Sequence, residues 1–194
     1  MDLSLDRVEQ RLAAHRAKDL PRVADRRRAA VAAILRYQRR APDVLLMRRV
    51  ERPGDRWSGQ VSFPGGREEE EDDDLLETAM REVREEVGLD LTASARLLGR
   101  IDPIRAMARG KVLPMSIMPF VFLQTRAQEI ELGQEAVGTF WFPLDLAASG
   151  EIDDTYHWKL GSVELDLPCW SYRGHVVWGL THRMLANFLE LLRT

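Results

Sequence analysis

The stretch that decides the fold is GGREEEEDDDLLETAMREVREEVGL, residues 65–89. Two glycines open it, an acid run fills residues 68–74, and the second half has the spacing of a helix. Asp73 or Asp74 is placed to cap that helix by accepting free backbone N–H groups. Gly88 suits its end, so the spacing predicts a helix over residues 75–87. At about 100° per residue, Leu75, Ala79, Val83, Val87 and Met80 share an arc of roughly 140°, the face that buries. Glu77, Arg81 and Arg84 lie opposite. Glu82, Glu85 and Glu86 fall near about 340°, 280° and 20°, on one side, with Glu86 inside the apolar arc.

A carboxylate on a buried stripe is costly unless it is paired or binds a cation. Three like charges on one side raise each other's pKa or call for a metal. Glu82 and Glu86 stand one turn apart and can grip one ion, and hard divalent cations such as Mg²⁺ or Mn²⁺ take such oxygen ligands. The competing reading is a solvated glutamate edge held by pairs such as Arg81 with Glu85.

Upstream of the helix, residues 53–66 carry four glycines and two prolines and read as loop and turn. Before them, residues 29–35 and 44–47 read as strands. The first eighteen residues read as an amphipathic helix, with Leu5, Val8 and Leu12 on one face, stopped near Pro21; the N-terminal helix is expected over about residues 1–20. Downstream, strands are expected at 96–101, 115–124 and 137–142. The basic stretch 105–111 reads as a loop, and 155–178 as turns alternating with short β-prone pieces. Residues 180–192 close the chain as a helix. No composition shift marks a boundary, so residues 1–194 are expected to form one α/β domain.

Composition narrows the function. The chain has 194 residues, 28 basic and 31 acidic, for a formal charge of −3. That balance argues against a strongly electropositive nucleic-acid binder. The lone Cys169 excludes an internal disulfide and cysteine-rich zinc sites. The longest apolar stretch, 112–123, is broken by Ser116 and two prolines, whereas a bilayer helix needs about 20 apolar residues. The N-terminus lacks the apolar core of a signal peptide. A cytoplasmic protein is expected, with no membrane or nucleic-acid partner, as monomer or homodimer.

Residues 66–89 resemble the box of the Nudix hydrolases: a glycine, an acidic residue, then R-E-U-x-E-E-x-G-U with U apolar. Arg81-Glu82-Val83-Arg84-Glu85-Glu86-Val87-Gly88-Leu89 matches every fixed position. Counting back from Arg81 puts the acidic position on Asp73 and the glycine on Arg67, with Gly65 and Gly66 just before it. The resemblance implies an α/β/α sandwich with a mixed sheet, the box helix on one face and the C-terminal helix on the other. It implies metal-dependent hydrolysis of a nucleoside-linked diphosphate, in which metal ions neutralise the oxygens and activate a water. The implied Mg²⁺ or Mn²⁺ ligands are Glu82, Glu85, Glu86 and the Gly65 carbonyl, with Arg81 orienting the carboxylates. Glu135, before a segment running Trp141-Phe142-Pro143, is the further ligand or general base; the base itself stays unassigned.

Gly59-Gln60-Val61-Ser62-Phe63-Pro64-Gly65-Gly66 and Val176-Val177-Trp178-Gly179-Leu180-Thr181 are similar to segments of the coenzyme A pyrophosphatase branch. Those enzymes split coenzyme A into 3′,5′-ADP and 4′-phosphopantetheine. Asp55 replaces that branch's usual arginine, with Arg56 one place away. Arg48, Arg56, Arg67 and Arg105 are the leading phosphate partners, ahead of Arg49, Arg109 and Lys111. Trp57, Phe63 and Trp178 are candidates to stack on adenine or to pack the core. His157, His175 and His182 read as structural, and Cys169 as inert. The rival readings are a pyrophosphatase for ADP-ribose, a dinucleotide or a nucleoside triphosphate, and a nucleotide-binding module without turnover.

Overall fold

The computed structural model describes residues 1–19, 27–52, 57–108 and 111–193. Its central strand is β1 (Arg27–Arg36), and the alternation along it sets the layers. Ala30, Ala32 and Ile34 face one core cluster, with Ala79, Val83 and Val87 of α2 (Leu75–Val87). Ala29, Val31, Ala33 and Leu35 face the other, with residues of α1 (Leu5–Ala14) and α5 (Gly179–Arg193). Successive strand side chains point to opposite faces, so one strand holds both layers. This is the expected α/β/α sandwich, with the box helix and the C-terminal helix on opposite faces.

The main sheet is mixed. β1 runs parallel to β7 (Lys111–Gln124), pairing Ala29 with Ile117 and Val31 with Pro119. It runs antiparallel to β2 (Asp43–Arg49) and to the short β4 (Gly65–Arg67). β2 also pairs with β3 (Val61–Ser62) and β8 (Ala136–Pro143), and β7 pairs with β5 (Ala95–Arg100) and β6 (Ile104–Ala108). Two short helices complete this part, α3 (Leu91–Ser94) and α4 (Leu144–Ser149). A second, three-stranded antiparallel sheet runs in the order β11 (His175–Trp178), β10 (Val163–Tyr172), β9 (Asp153–Leu160).

Several expectations need correction. The N-terminal helix ends at Ala14, well short of residue 20; beyond it Asp102 takes over, accepting from the Lys18 backbone N–H at 2.9 Å and lying 3.1 Å from His15. Pro21 lies outside the described residues. The basic stretch 105–111 is no simple loop: β6 pairs with the start of β7, burying Ile104 and Ala106 while Arg105 and Met107 face outward. Residues 155–178 form long strands, with β9 and β10 in register from Val163–Leu160 to Trp170–Asp153. Among the described residues, no helix is long and apolar enough to cross a membrane.

Candidate active site

Helix α2 is fixed at both ends. Asp74 Oδ1 accepts from the Leu76 and Glu77 N–H groups at 2.8 and 2.9 Å, and Gly88 closes the helix at φ 71°. Such a cap contributes about 1 kcal/mol. Asp74 is thus the cap, while the Asp73 N–H donates to Glu77.

Arg81 turns back onto the acid run. Its Nε and Nη2 donate to the two oxygens of Asp72, both at 2.9 Å, and Nη2 also donates to the Arg67 carbonyl at 3.0 Å. Asp72 further accepts from the Thr78 hydroxyl and the Glu69 N–H. The Arg81 hydrogen bonds hold the Asp72 carboxyl well below the usual carboxylate range and push Arg81 up. The acidic partner of Arg81 is therefore Asp72, the neighbour of the Asp73 at which the box's acidic position was counted. Arg81 Nη1 lies 3.3 Å from both Glu82 and Glu85.

Glu86 is only 2% exposed. Burial pushes its pKa up to about 8 from an ordinary 4.5, against the Gly65 N–H and Arg49, which favour the charged form. Gly65 donates to Glu86 Oε2 at 2.7 Å. Gly65 has φ 148°, and a Cβ there would overlap the Ala30 backbone; one at Gly66 would overlap the Glu82 carboxylate. Gly65 is thus required by close approach to backbone, whereas at Gly66 it is the Glu82 side chain that would have to move. Burial, first, and then the neighbouring Glu85 and Glu135 raise Glu82, with Arg81 opposing.

Glu135 enters from the segment between β7 and β8. That segment is tied to α2 by Glu131 N–H to Val87 O at 3.1 Å and Gly133 N–H to Glu86 O at 2.9 Å. A Cβ at Gly133 would overlap the Glu85 carbonyl. Arg49 Nη2 binds Glu135 at 3.1 Å and Nη1 binds Glu86 at 3.4 Å, while Arg52 holds the other Glu135 oxygen at 3.2 Å. Glu82, Glu85, Glu86, Glu135, Gly65 and Arg67 line a single cavity of about 460 Å³ together with Arg49, Gly66 and Glu69.

The fold thus gathers most of the anticipated residues. It does not gather all. Arg48 is exposed and paired with Glu51, and Arg105 is exposed on β6; neither lines the cavity. Arg56 lies outside the described residues, as do Asp55 and Arg109. Trp57 and Phe63 line the cavity, whereas Trp178 stacks on Tyr156 with ring centres 4.1 Å apart. His157 pairs with Asp166, His175 stacks on Phe140, and His182 packs on Trp170. Cys169 is buried and free, as expected. Arg49 was only one of several basic candidates in sequence; its seat between two carboxylates follows from strand β2 passing beside α2.

The carboxylates suit a hard divalent cation: Glu82 and Glu86 are raised first by burial and then by neighbouring carboxylates. Among the described residues, no three of these side chains converge on a point where they could hold one metal ion as they stand. Arg49 and Arg81 supply the positive charge between them.

Comparison with known proteins now decides the family. The NUDIX domain model matches residues 25–160. The chain belongs to the Nudix hydrolases. It is 30% identical over 169 residues to the mouse mitochondrial coenzyme A diphosphatase NUDT8, covering 84% of this chain and 77% of that protein. The human NUDT8 is 31% identical over 167 residues, covering 84% and 69%. The Nudix hydrolase NudL of Yersinia enterocolitica is 31% identical over 152 residues, covering 77% and 73%. Among solved structures, a MutT/nudix family protein from Enterococcus faecalis matches 91% of this chain and 66% of its own, with TM-score 0.57 and 14% identity. A C. elegans Ap4A hydrolase matches 63% and 84%, with TM-score 0.52 and 19% identity. As a Nudix hydrolase, the chain acts on diphosphate bonds of small nucleotide-type molecules, and the family generally uses divalent metals.

Proposed function

We propose that this Nudix hydrolase cleaves the diphosphate of coenzyme A or its thioesters, giving 3′,5′-ADP and 4′-phosphopantetheine. The observation that carries the reading is the likeness to coenzyme A diphosphatases across 84% of the chain. The whole chain, residues 1–194, works as one domain, since α1 and α5 share a core cluster with the main sheet. Glu82, Glu85 and Glu86, with the Gly65 carbonyl, hold Mg²⁺ or Mn²⁺. When bound, the metal neutralises diphosphate oxygens and lowers the pKa of water. Arg81, fixed by Asp72, orients Glu82 and Glu85. Glu135 is the further carboxylate at the reacting phosphorus, steadied by Arg49 and Arg52. Arg67 meets a phosphate at the cavity mouth, and Arg56 is assigned to the 3′-phosphate.

A panel of coenzyme A, acetyl-coenzyme A, ADP-ribose and Ap4A, with products identified by mass, tests this. Coenzyme A compounds should give the highest kcat/KM. ADP-ribose cleaved far better than either would overturn the substrate while leaving the hydrolase intact.

A further inference from the structure

The cavity has two unlike walls. One carries the glutamates, Arg49 and Arg67. The other is made of Val31, Phe63, Met115, Ile117, Leu180 and Met184. Five of these six are buried core residues on the α5 side of the sheet, so this wall is the core itself, left open. Its polar groups are few. The Thr181 hydroxyl is committed to the Val61 carbonyl at 2.9 Å. The Ser62 hydroxyl is shut off from solvent and has no partner among the described residues.

That wall discriminates between the two halves of a coenzyme A-type molecule. The adenosine half carries a 3′-phosphate and a base with several hydrogen-bonding atoms. Burying charge without a partner is very costly, and each unpaired polar group left in the interior adds to that cost. Among the described residues, Arg49 sits at the carboxylate end of the cavity, bound to Glu86 and Glu135, and Arg67 is exposed to solvent. The pantetheine half is uncharged, slender and ends in a thiol or thioester. Two methionines, flexible and polarizable, can repack around chains of different length.

We infer that the apolar wall is a subsite for the pantetheine arm and its acyl chain. The adenosine 3′-phosphate then points outward. This assignment rests on the coenzyme A reading and adds a preference to it: thioesters bind better than the free thiol, more so as the chain lengthens, until the cavity is full.

Calorimetry with the full chain tests it, using S-octanoyl-pantetheine, pantetheine and 3′,5′-ADP as separate probes. Each buried methylene adds up to about fourfold in affinity, so the octanoyl compound should bind at least about tenfold more tightly than pantetheine. Met184→Trp, which fills the wall, should erase that difference while 3′,5′-ADP binds as before. In wild-type protein with ¹³C-methyl methionine, the Met115 and Met184 signals should move with octanoyl-pantetheine and stay with 3′,5′-ADP. That readout does not depend on the variant folding. Equal binding of the two pantetheines, or methionine signals that follow 3′,5′-ADP instead, would overturn the subsite. Octanoyl-pantetheine binding without cleavage of intact coenzyme A would sink the substrate reading alone. Cleavage of coenzyme A with no chain-length effect would sink the subsite alone.

Discussion

Helices α2 and α5 flank the same sheet and bury opposite kinds of surface. α5 buries Met184, Leu185, Phe188, Leu189 and Leu192, with Thr181 as its buried polar residue. α2 buries only Ala79, Val83 and Val87 as apolar side chains, and spends the rest on Thr78 and Glu86. α5 is held by area removed from water. α2 is held by its two caps, by Asp72 clasping Arg81, and by hydrogen bonds from Gly65 and the 131–133 segment. The lesson is that the helix carrying the clustered glutamates is the less apolar of the two, because a face of carboxylates cannot also be a good core.

The largest effect should break the α5 side. Phe188 is fully buried, and Phe188→Ala should cost about 3–5 kcal/mol, read as a melting temperature about 6–20 °C lower. Its activity at low temperature should persist. Next, Glu86→Gln keeps the shape of α2 and removes a charge. Turnover at saturating Mg²⁺ should fall by at least about a hundredfold, the scale of one lost electrostatic contributor, with circular dichroism unchanged. Near-normal turnover would place the metal ligands elsewhere.

A finer contrast lies within the acid run. Asp72→Asn weakens the fork to Arg81 and should cost about 1.5–3 kcal/mol, with kcat falling more than KM rises. Asp73→Asn should stay within about 0.5 kcal/mol, as for a surface site. Equal effects in urea titrations and kinetics would return the acidic role to Asp73.

The smallest effect concerns pH. The folded-state pKa of Glu86 is about 8, above its ordinary 4.5. The folded chain therefore keeps a proton there that the unfolded chain releases above about pH 4.5. The stability this group contributes is full below that pH and is lost as pH rises through about 8. Metal-free Glu86→Gln should thus melt higher than wild type at pH 8.5 and alike at pH 4.5, the gap opening as pH rises between them. Asp72 has the opposite sign: its contribution is present above pH 3.8 and is lost as pH falls.

Much of this was legible in residues 65–89. Helix period, cap and Gly88 placed α2 at its observed ends, and the angular arithmetic put Glu86 on the buried side. Which acid of the run would clasp Arg81 was not legible, because counting along the box does not trace the path of the loop. Arg81 instead reaches whichever acid the preceding loop turns inward, and Thr78 and the Glu69 N–H select Asp72. Strand β6 was hidden by Arg105 and by the basic residues that follow the strand, although Ile104 and Ala106 alternate with Arg105 and Met107. The β9–β10 pairing is a local hairpin, with Leu165 opposite Trp158 across the turn at Gly161-Ser162, and it was hard to read because most of both strands is exposed and shows no buried stripe. Arg49 could not be singled out from its neighbours, because strand parity alone does not say which element passes beside it.

Gly66 offers an experimental handle of a different kind. The nearest atoms a methyl group there would meet are those of the Glu82 carboxylate, the far end of a flexible side chain. Gly66→Ala would therefore displace one oxygen pair without altering net charge or straining the backbone. Such a chain is a natural trap, suited to crystallising an uncleaved diphosphate in the cavity with every ionisable group of the native enzyme still present.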